Sequence, residues 1–404
     1  SAHIEGASKN QLFSYTLGFR NKTNRYLFNS LPTEGGYEPL FVDLQGFLTF
    51  DINLNWQWQL IANYSRNRYQ FRPNSAVFQF GEIQNVKRLR IAYEGQEKDE
   101  YIAAMGGTGL VYNSDEKDLT LKFLASAFTT TEEENFDIIG EYFLGEVEND
   151  QGDENFGEVV SEYGIGTYHD YARNELQALI GNIAHKGYYD KGNHYINWGV
   201  KYQYEDITDR LNEWQRVDSA GYSLSGGESI FSGGYNPFEV ELFSVKKTDF
   251  DLQSHRMTAY VQDSWDFGEK RNAILTAGAR LNYWSVNKEL FVVPRVQLSW
   301  QPKVDSLAEA ERFDALERGE PLPPKNQTSY RIAAGMYHQP PFYREMRNQE
   351  GEINRALMAQ KSMHGVLGLV YDFKLYDRPF RLISEAYYKS LWDVVAYDVD
   401  NVRI

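Results

Sequence analysis

The 404-residue chain has no cysteine, which excludes a disulfide framework, a thiolate zinc site and a cysteine nucleophile. Positive charge is scarce: 41 Lys and Arg stand against 57 Asp and Glu, a formal charge of -16. Such a chain repels a phosphate backbone, so no nucleic-acid partner is expected. No run approaches the ~18 to 20 consecutive apolar residues of a membrane helix, and the mean hydropathy of -0.57 agrees. A transmembrane β-barrel survives this test, because only alternate residues of its strands meet lipid. The G-x-S-x-G elbow, the H-E-x-x-H helix and the P-loop are also missing, so no catalytic residue is assigned and no enzymatic activity is expected. No internal repeat of fixed period emerges. The opening SAHIEGASKN lacks a basic segment followed by an apolar one, as expected of a chain whose targeting signal has been removed or of an excised piece.

What the chain does have is period-two alternation. In Tyr195 to Glu205, Ile196, Trp198, Val200, Tyr202 and Tyr204 share one face, and Asn197, Gly199, Lys201 and Gln203 share the other. Leu275, Ala277, Ala279, Leu281 and Tyr283 repeat the pattern against Thr276, Gly278, Arg280 and Asn282, as do Phe13, Tyr15, Leu17 and Phe19. Roughly fourteen such segments occur, each about the ~10 residues with which a tilted strand crosses a bilayer.

Short turn-like connections (53–57, 113–118, 188–193, 268–272, 375–379) alternate with long polar stretches near 66–88, 131–167, 205–251 and 339–363. Short turns at one end and long loops at the other form the outer-membrane pattern. One segment departs from it. Residues 305–319 carry a capping box at Ser306 and Glu309, apolar Leu307, Phe313 and Leu316, and a terminal Gly319, which predicts a short amphipathic helix on the short-turn side. The expected fold is all-β, an antiparallel transmembrane barrel with one short periplasmic-side helix.

Particular strings sharpen this. AYVQDSW (259–265), LTAGARLNYW (275–284), PRVQLSWQP (294–302) and the R-x-A-x-G of Arg331 to Gly335 occur in the order in which TonB-dependent outer-membrane receptors carry such motifs. YHQPPFYREMR (337–347), AQKSMHGVLGLVYDF (359–373) and SEAYYKSLWDVVAYDVDN (384–401) resemble later strands and loops of the same family. The resemblance covers most of the chain. It lacks the family's TonB box, globular plug and last aromatic-ended strand, so the resemblance implies residues 1–404 to be an internal portion of a 22-stranded barrel domain.

By that resemblance the chain belongs to the outer membrane of a Gram-negative bacterium. It would import a scarce solute with energy delivered by TonB through the plug. Siderophores, cobalamin, glycans and peptides are all compatible with its aromatic, acidic loops. Lipid, lipopolysaccharide and the protein's own plug are the implied partners, and a surface lipoprotein lid is compatible too. Arg280, Arg295, Arg331, Arg381, Glu385 and Lys389 fall on the polar face and would contact the plug or line the route. His338, Gln339, Tyr343, Arg344 and His364 interleave aromatic and polar groups around one connection and are the loop candidates for ligand contact. No cofactor and no resident metal is expected. The acidic runs Glu132 to Glu134 and Asp150, Asp153 and Glu154 are the residues a Ca²⁺ ion would use, without the fixed spacing of an EF-hand. Two rivals keep part of the pattern: a secreted soluble β-protein that binds or hydrolyses carbohydrate, and a passive porin or surface-assembly barrel.

Overall fold

The computed structural model describes residues 1–23, 25, 35–82, 85–219, 222–224, 242–268, 272–302, 313–318, 327–348, 352–376 and 378–395. Its strands are β1 (Ala2–Ala7), β2 (Phe13–Thr23), β3 (Gly35–Tyr37), β4 (Leu40–Asp51), β5 (Trp56–Pro73), β6 (Ala76–Glu82), β7 (Asn85–Ser114), β8 (Leu119–Val147), β9 (Val159–Lys191), β10 (His194–Ser219), β11 (Tyr222–Leu224), β12 (Ser244–Phe267), β13 (Ala273–Trp284), β14 (Glu289–Trp300), β15 (Gln327–Gln339), β16 (Gln360–Leu375) and β17 (Arg378–Trp392). All belong to one sheet. Every pairing is antiparallel, and the order β1-β2-β4-β5-β7-β8-β9-β10-β12-β13-β14-β15-β16-β17 is an up-and-down meander. Short β3, β6 and β11 only extend hairpins at one end.

Register explains the alternation. Phe123, His185, Val200, Ala259, Leu281 and Val292 pair in sequence across six strands and therefore project from one face. Val200 at 57%, Val292 at 59% and Ile183 at 66% exposure lie on that face. A continuous apolar belt of this kind is untenable in water and suits hydrocarbon. The belt ends near Tyr64, Ile102, Ala127, Leu179, Tyr204 and Met257. Beyond it the same face turns polar, with the Arg66–Glu100 ion pair at 2.5 Å. This is an antiparallel transmembrane barrel sheet.

The connections sort by end. Backbone hydrogen bonds from Asp51 to Leu12, Asn113 to Asn55, Asp190 to Asp118, Asp266 to Asn193 and Gln301 to Asn272 hold neighbouring short turns flush with one another. The β14–β15 connection leaves from this end. It contains the helical residues 313–317, so a short helix does lie on the short-turn side. Ser306, Glu309 and Gly319 fall outside the described residues.

The far end corrects the expected loops. Residues 66–88 are mostly β5, β6 and β7, and 131–167 are mostly β8 and β9 around a connection of 148–158. Strands β7, β8 and β9 run for 30, 29 and 33 residues, about three times a bilayer crossing. Ladder bonds are made by the backbone whatever the side chains. Past the lipid the outward positions of β8 become Thr129, Thr131, Glu133, Asn135 and Asp137, and the apolar signal vanishes while the strand continues. Within 205–251, β10 runs to Ser219 and β12 starts at Ser244.

Candidate functional site

The face opposite the belt is polar and concave. Concavity follows from a contact across it: Arg344 Nη2 donates to Glu132 Oε2 at 2.7 Å, although β15 lies six strands from β8, about 29 Å at ~4.8 Å per strand. The described part of the β15–β16 connection, residues 340–348 and 352–359, is thus folded into the interior. Three features put it there. Tyr343 packs against the cluster of Leu176, Ala178, Ile207 and Leu252. Arg347 pairs with Asp209 of β10, a carboxylate only 4% exposed. At the other end Asn287 donates to the Leu357 carbonyl at 3.2 Å and the Ala359 N–H to Glu289 at 2.9 Å.

Locally the segment is a 3-10 turn, Tyr343–Met346, whose Glu345 carboxylate caps the Phe342 N–H at 2.8 Å. Met346 is 1% exposed, and Pro341 is among the most fully buried side chains. Its entry coincides with a gap in the sheet. The β14–β15 ladder ends at Arg295 opposite Gly335, next to Pro294, which has no N–H to donate.

The wall under this strap is acidic. Ladder pairing lines up Tyr69, Asp99, Glu134 and Asn174 in one inward row and Tyr101, Glu132, Leu176 and Asp209 in the next. Asn174 donates to Glu213 at 2.6 Å and to Glu134 at 3.4 Å. Burial, with Glu97 and Glu134 nearby, raises the Asp99 carboxyl to about 7. Burial also pushes Glu134 up, against the Asn174 hydrogen bond. The Tyr343 phenol is raised by its own burial.

The candidates on the polar face share the interior, as their pairing requires. Arg295, Gly335, His364 and Lys389 form one row, and Ser299, Arg331, Gly368 and Glu385 another. Arg331 is ion-paired with Glu385, and Arg381 grips Asp372 through two bonds of 2.6 and 3.1 Å. Arg280 lies 5.4 Å over the Tyr260 ring and Arg295 4.2 Å over that of Tyr337. Near the short turns a 480 Å³ recess is lined by Ile274, Arg331, Val370, Ile383 and Glu385 among others.

The five loop candidates do not form one cluster. Tyr343 and Arg344 lie together across the interior, with Arg344 Nε donating to the Tyr343 hydroxyl at 2.6 Å. His364 belongs to the arginine row, its ring 4.5 Å from Tyr337. His338 faces Phe291 at 4.5 Å, and Gln339 pairs with Gln360 at the strand end. Strand alternation also divides Glu132 and Glu134 from Glu133, while Asp150 and Asp153 accept from their own turn's backbone at 2.9 and 2.8 Å. Asp209 and Glu213 escape a reading that takes 205–251 as a loop, and Glu97 and Asp99 lie just past the stretch 66–88 that is read the same way. Continuing the alternation past the belt would have placed all four inward.

No family model and no curated protein matches the chain. Solved structures do. The RagAB peptide importer in its closed-closed state aligns with 96% of this chain and 43% of its own at 9% identity and a TM-score of 0.50. The outer membrane transporter YddB from Escherichia coli aligns with 89% of this chain and 50% of its own at 11% identity and a TM-score of 0.36. The ferric enterobactin receptor PfeA from Pseudomonas aeruginosa aligns at 12% identity and 0.34, over 95% and 53%. The chain has the fold of an outer-membrane transporter barrel and spans less than half the length of the RagAB chain.

Proposed function

We infer that this chain is the larger part of the barrel of a TonB-dependent outer-membrane receptor that imports a scarce solute. The observation that carries the reading is the two-faced sheet: a lipid-suited belt about ten residues tall backs onto a concave wall of paired charges. Motif order in 259–347 supports the family. Among the described residues β1 pairs only with β2 and β17 only with β16. Strands of the same protein would pair with these open edges, since unpaired edges invite aggregation. The arginine rows and the recess beside Arg331 and Glu385 offer a plug the charge-assisted bonds it needs. A strap that crosses the interior supports import over passive flow through an open channel.

The test is depletion of a defined mixture of labelled siderophores, cobalamin, oligosaccharides and peptides by cells with and without the gene for the full-length protein. One class should disappear only from the medium of gene-bearing cells, and an uncoupler of the proton gradient should stop it. Uptake that continues under the uncoupler would establish the porin reading instead.

A further inference from the structure

The strap presents a cation beside an aromatic ring to a wall that matches both. Tyr343 fills the apolar ground formed by Leu176, Ala178, Ile207 and Leu252. Arg344 and Arg347 meet Glu132 and Asp209, which sit one row below Asp99 and Glu134. The three contacts come from five consecutive residues and land on strands β8, β9, β10 and β12. The wall therefore reads as a preformed receptor for the group Tyr-Arg, and the chain's own residues supply that group.

A second observation is an inward carboxyl of the wall that the strap does not reach. Asp99 is 7% exposed and its Oδ1 has no hydrogen-bond partner. It lies directly opposite Glu134 in the ladder, where two ionised carboxylates would destabilise the sheet. An orphaned acceptor buried beside a second carboxylate is costly unless something else uses it. The strap's cations stop at the row of Glu132 and Asp209, so this acceptor is open to a cation that reaches one row further.

We propose that the turn Tyr343–Arg347 occupies in cis a solute site built for a guanidinium or ammonium group flanked by an aromatic or aliphatic one. A solute of that chemistry displaces the Tyr343–Arg347 turn, takes Glu132 and Asp209 with its cation, and so couples its own binding to release of the strap. The inference rests on the transport reading and names the class of solute.

The probe is the fluorescently labelled dipeptide tyrosyl-arginine amide, with tyrosyl-glutamate amide as its control, titrated against the full-length protein purified in detergent. A closed strap lowers apparent affinity by the fraction of molecules in which it is open. The double variant Arg344→Gln, Arg347→Gln should accordingly bind the arginine probe about tenfold or more tighter than the wild type. Adding Glu132→Gln to it should abolish the gain, and the glutamate probe should bind none of the three. Heat-modifiable gel mobility confirms that each variant is folded, and Arg344→Lys, which keeps the charge, should behave as the wild type. Equal affinity of the double variant and the wild type, or equal binding of the two probes, overturns the inference. Outer-membrane recovery together with that negative result leaves the transport reading standing; recovery as a soluble protein removes the transport reading first.

Discussion

At the scale of single residues, burial decides which charges matter. Arg331 and Glu385 are each about half exposed, and such pairs contribute ~1 kcal/mol or less. Removing Arg347 strands the buried carboxylate of Asp209, a change that typically costs ~3–5 kcal/mol. Denaturant titration should show Arg347→Ala far less stable than Arg331→Ala. Asp99 adds a pH dependence. Burial raises its carboxyl from the ordinary aspartate range to about 7, so the folded protein holds a proton that the unfolded chain has lost. Stability from this group is fully present below pH 4 and is lost as pH rises through about 7. Thermal unfolding in detergent should fall in midpoint between pH 5 and 8, and Asp99→Asn should flatten that slope. Gly95 is constrained by its backbone. With φ at +99° and the Asp137 carbonyl oxygen 1.8 Å from where a Cβ would lie, Gly95→Ala should split the β7–β8 ladder locally, read as faster amide exchange around 137.

At the scale of elements, parity is the testable quantity. Val261 and Gln262 are neighbours on β12 with opposite faces, Val261 paired with Trp198 and Ala279, Gln262 with Asn197 and Gly278. Val261→Lys should cost ~2–4 kcal/mol by placing charge towards hydrocarbon. Gln262→Lys should change the unfolding free energy by less than half of that. The strands were legible in sequence wherever lipid imposed apolar alternation, which is why the faces of 196–204 and 275–283 could be read from residues alone. Their upper extensions were not. Once the outward face is polar, Thr129 to Asp137 or Gln203 to Glu213 lose the apolar alternation by which a strand differs from a loop. Tyr343 and Arg344 could be picked out for their chemistry, but not their destination. A contact between residues 212 positions apart, such as Arg344 with Glu132, is set by sheet curvature and the break at Pro294, which no local pattern records.

At the scale of the molecule, the described residues form fourteen meander strands in a curved wall whose two edges have no partner among them, with a belt for lipid outside and charge within. The interior carries two different charge characters. The rows of Arg295, Arg331, Arg381 and Lys389 lie on β14 to β17, whereas Asp99, Glu132, Glu134 and Asp209 lie on β7 to β10. The strap runs from the first of these groups of strands to the second. Whether this sheet spans an outer membrane is decided by fractionating cells that express the full-length native protein and comparing heated with unheated samples on a detergent gel. A membrane-spanning sheet will be recovered in the outer membrane and give a band that migrates differently until boiled; recovery in the soluble fraction without detergent would rule it out.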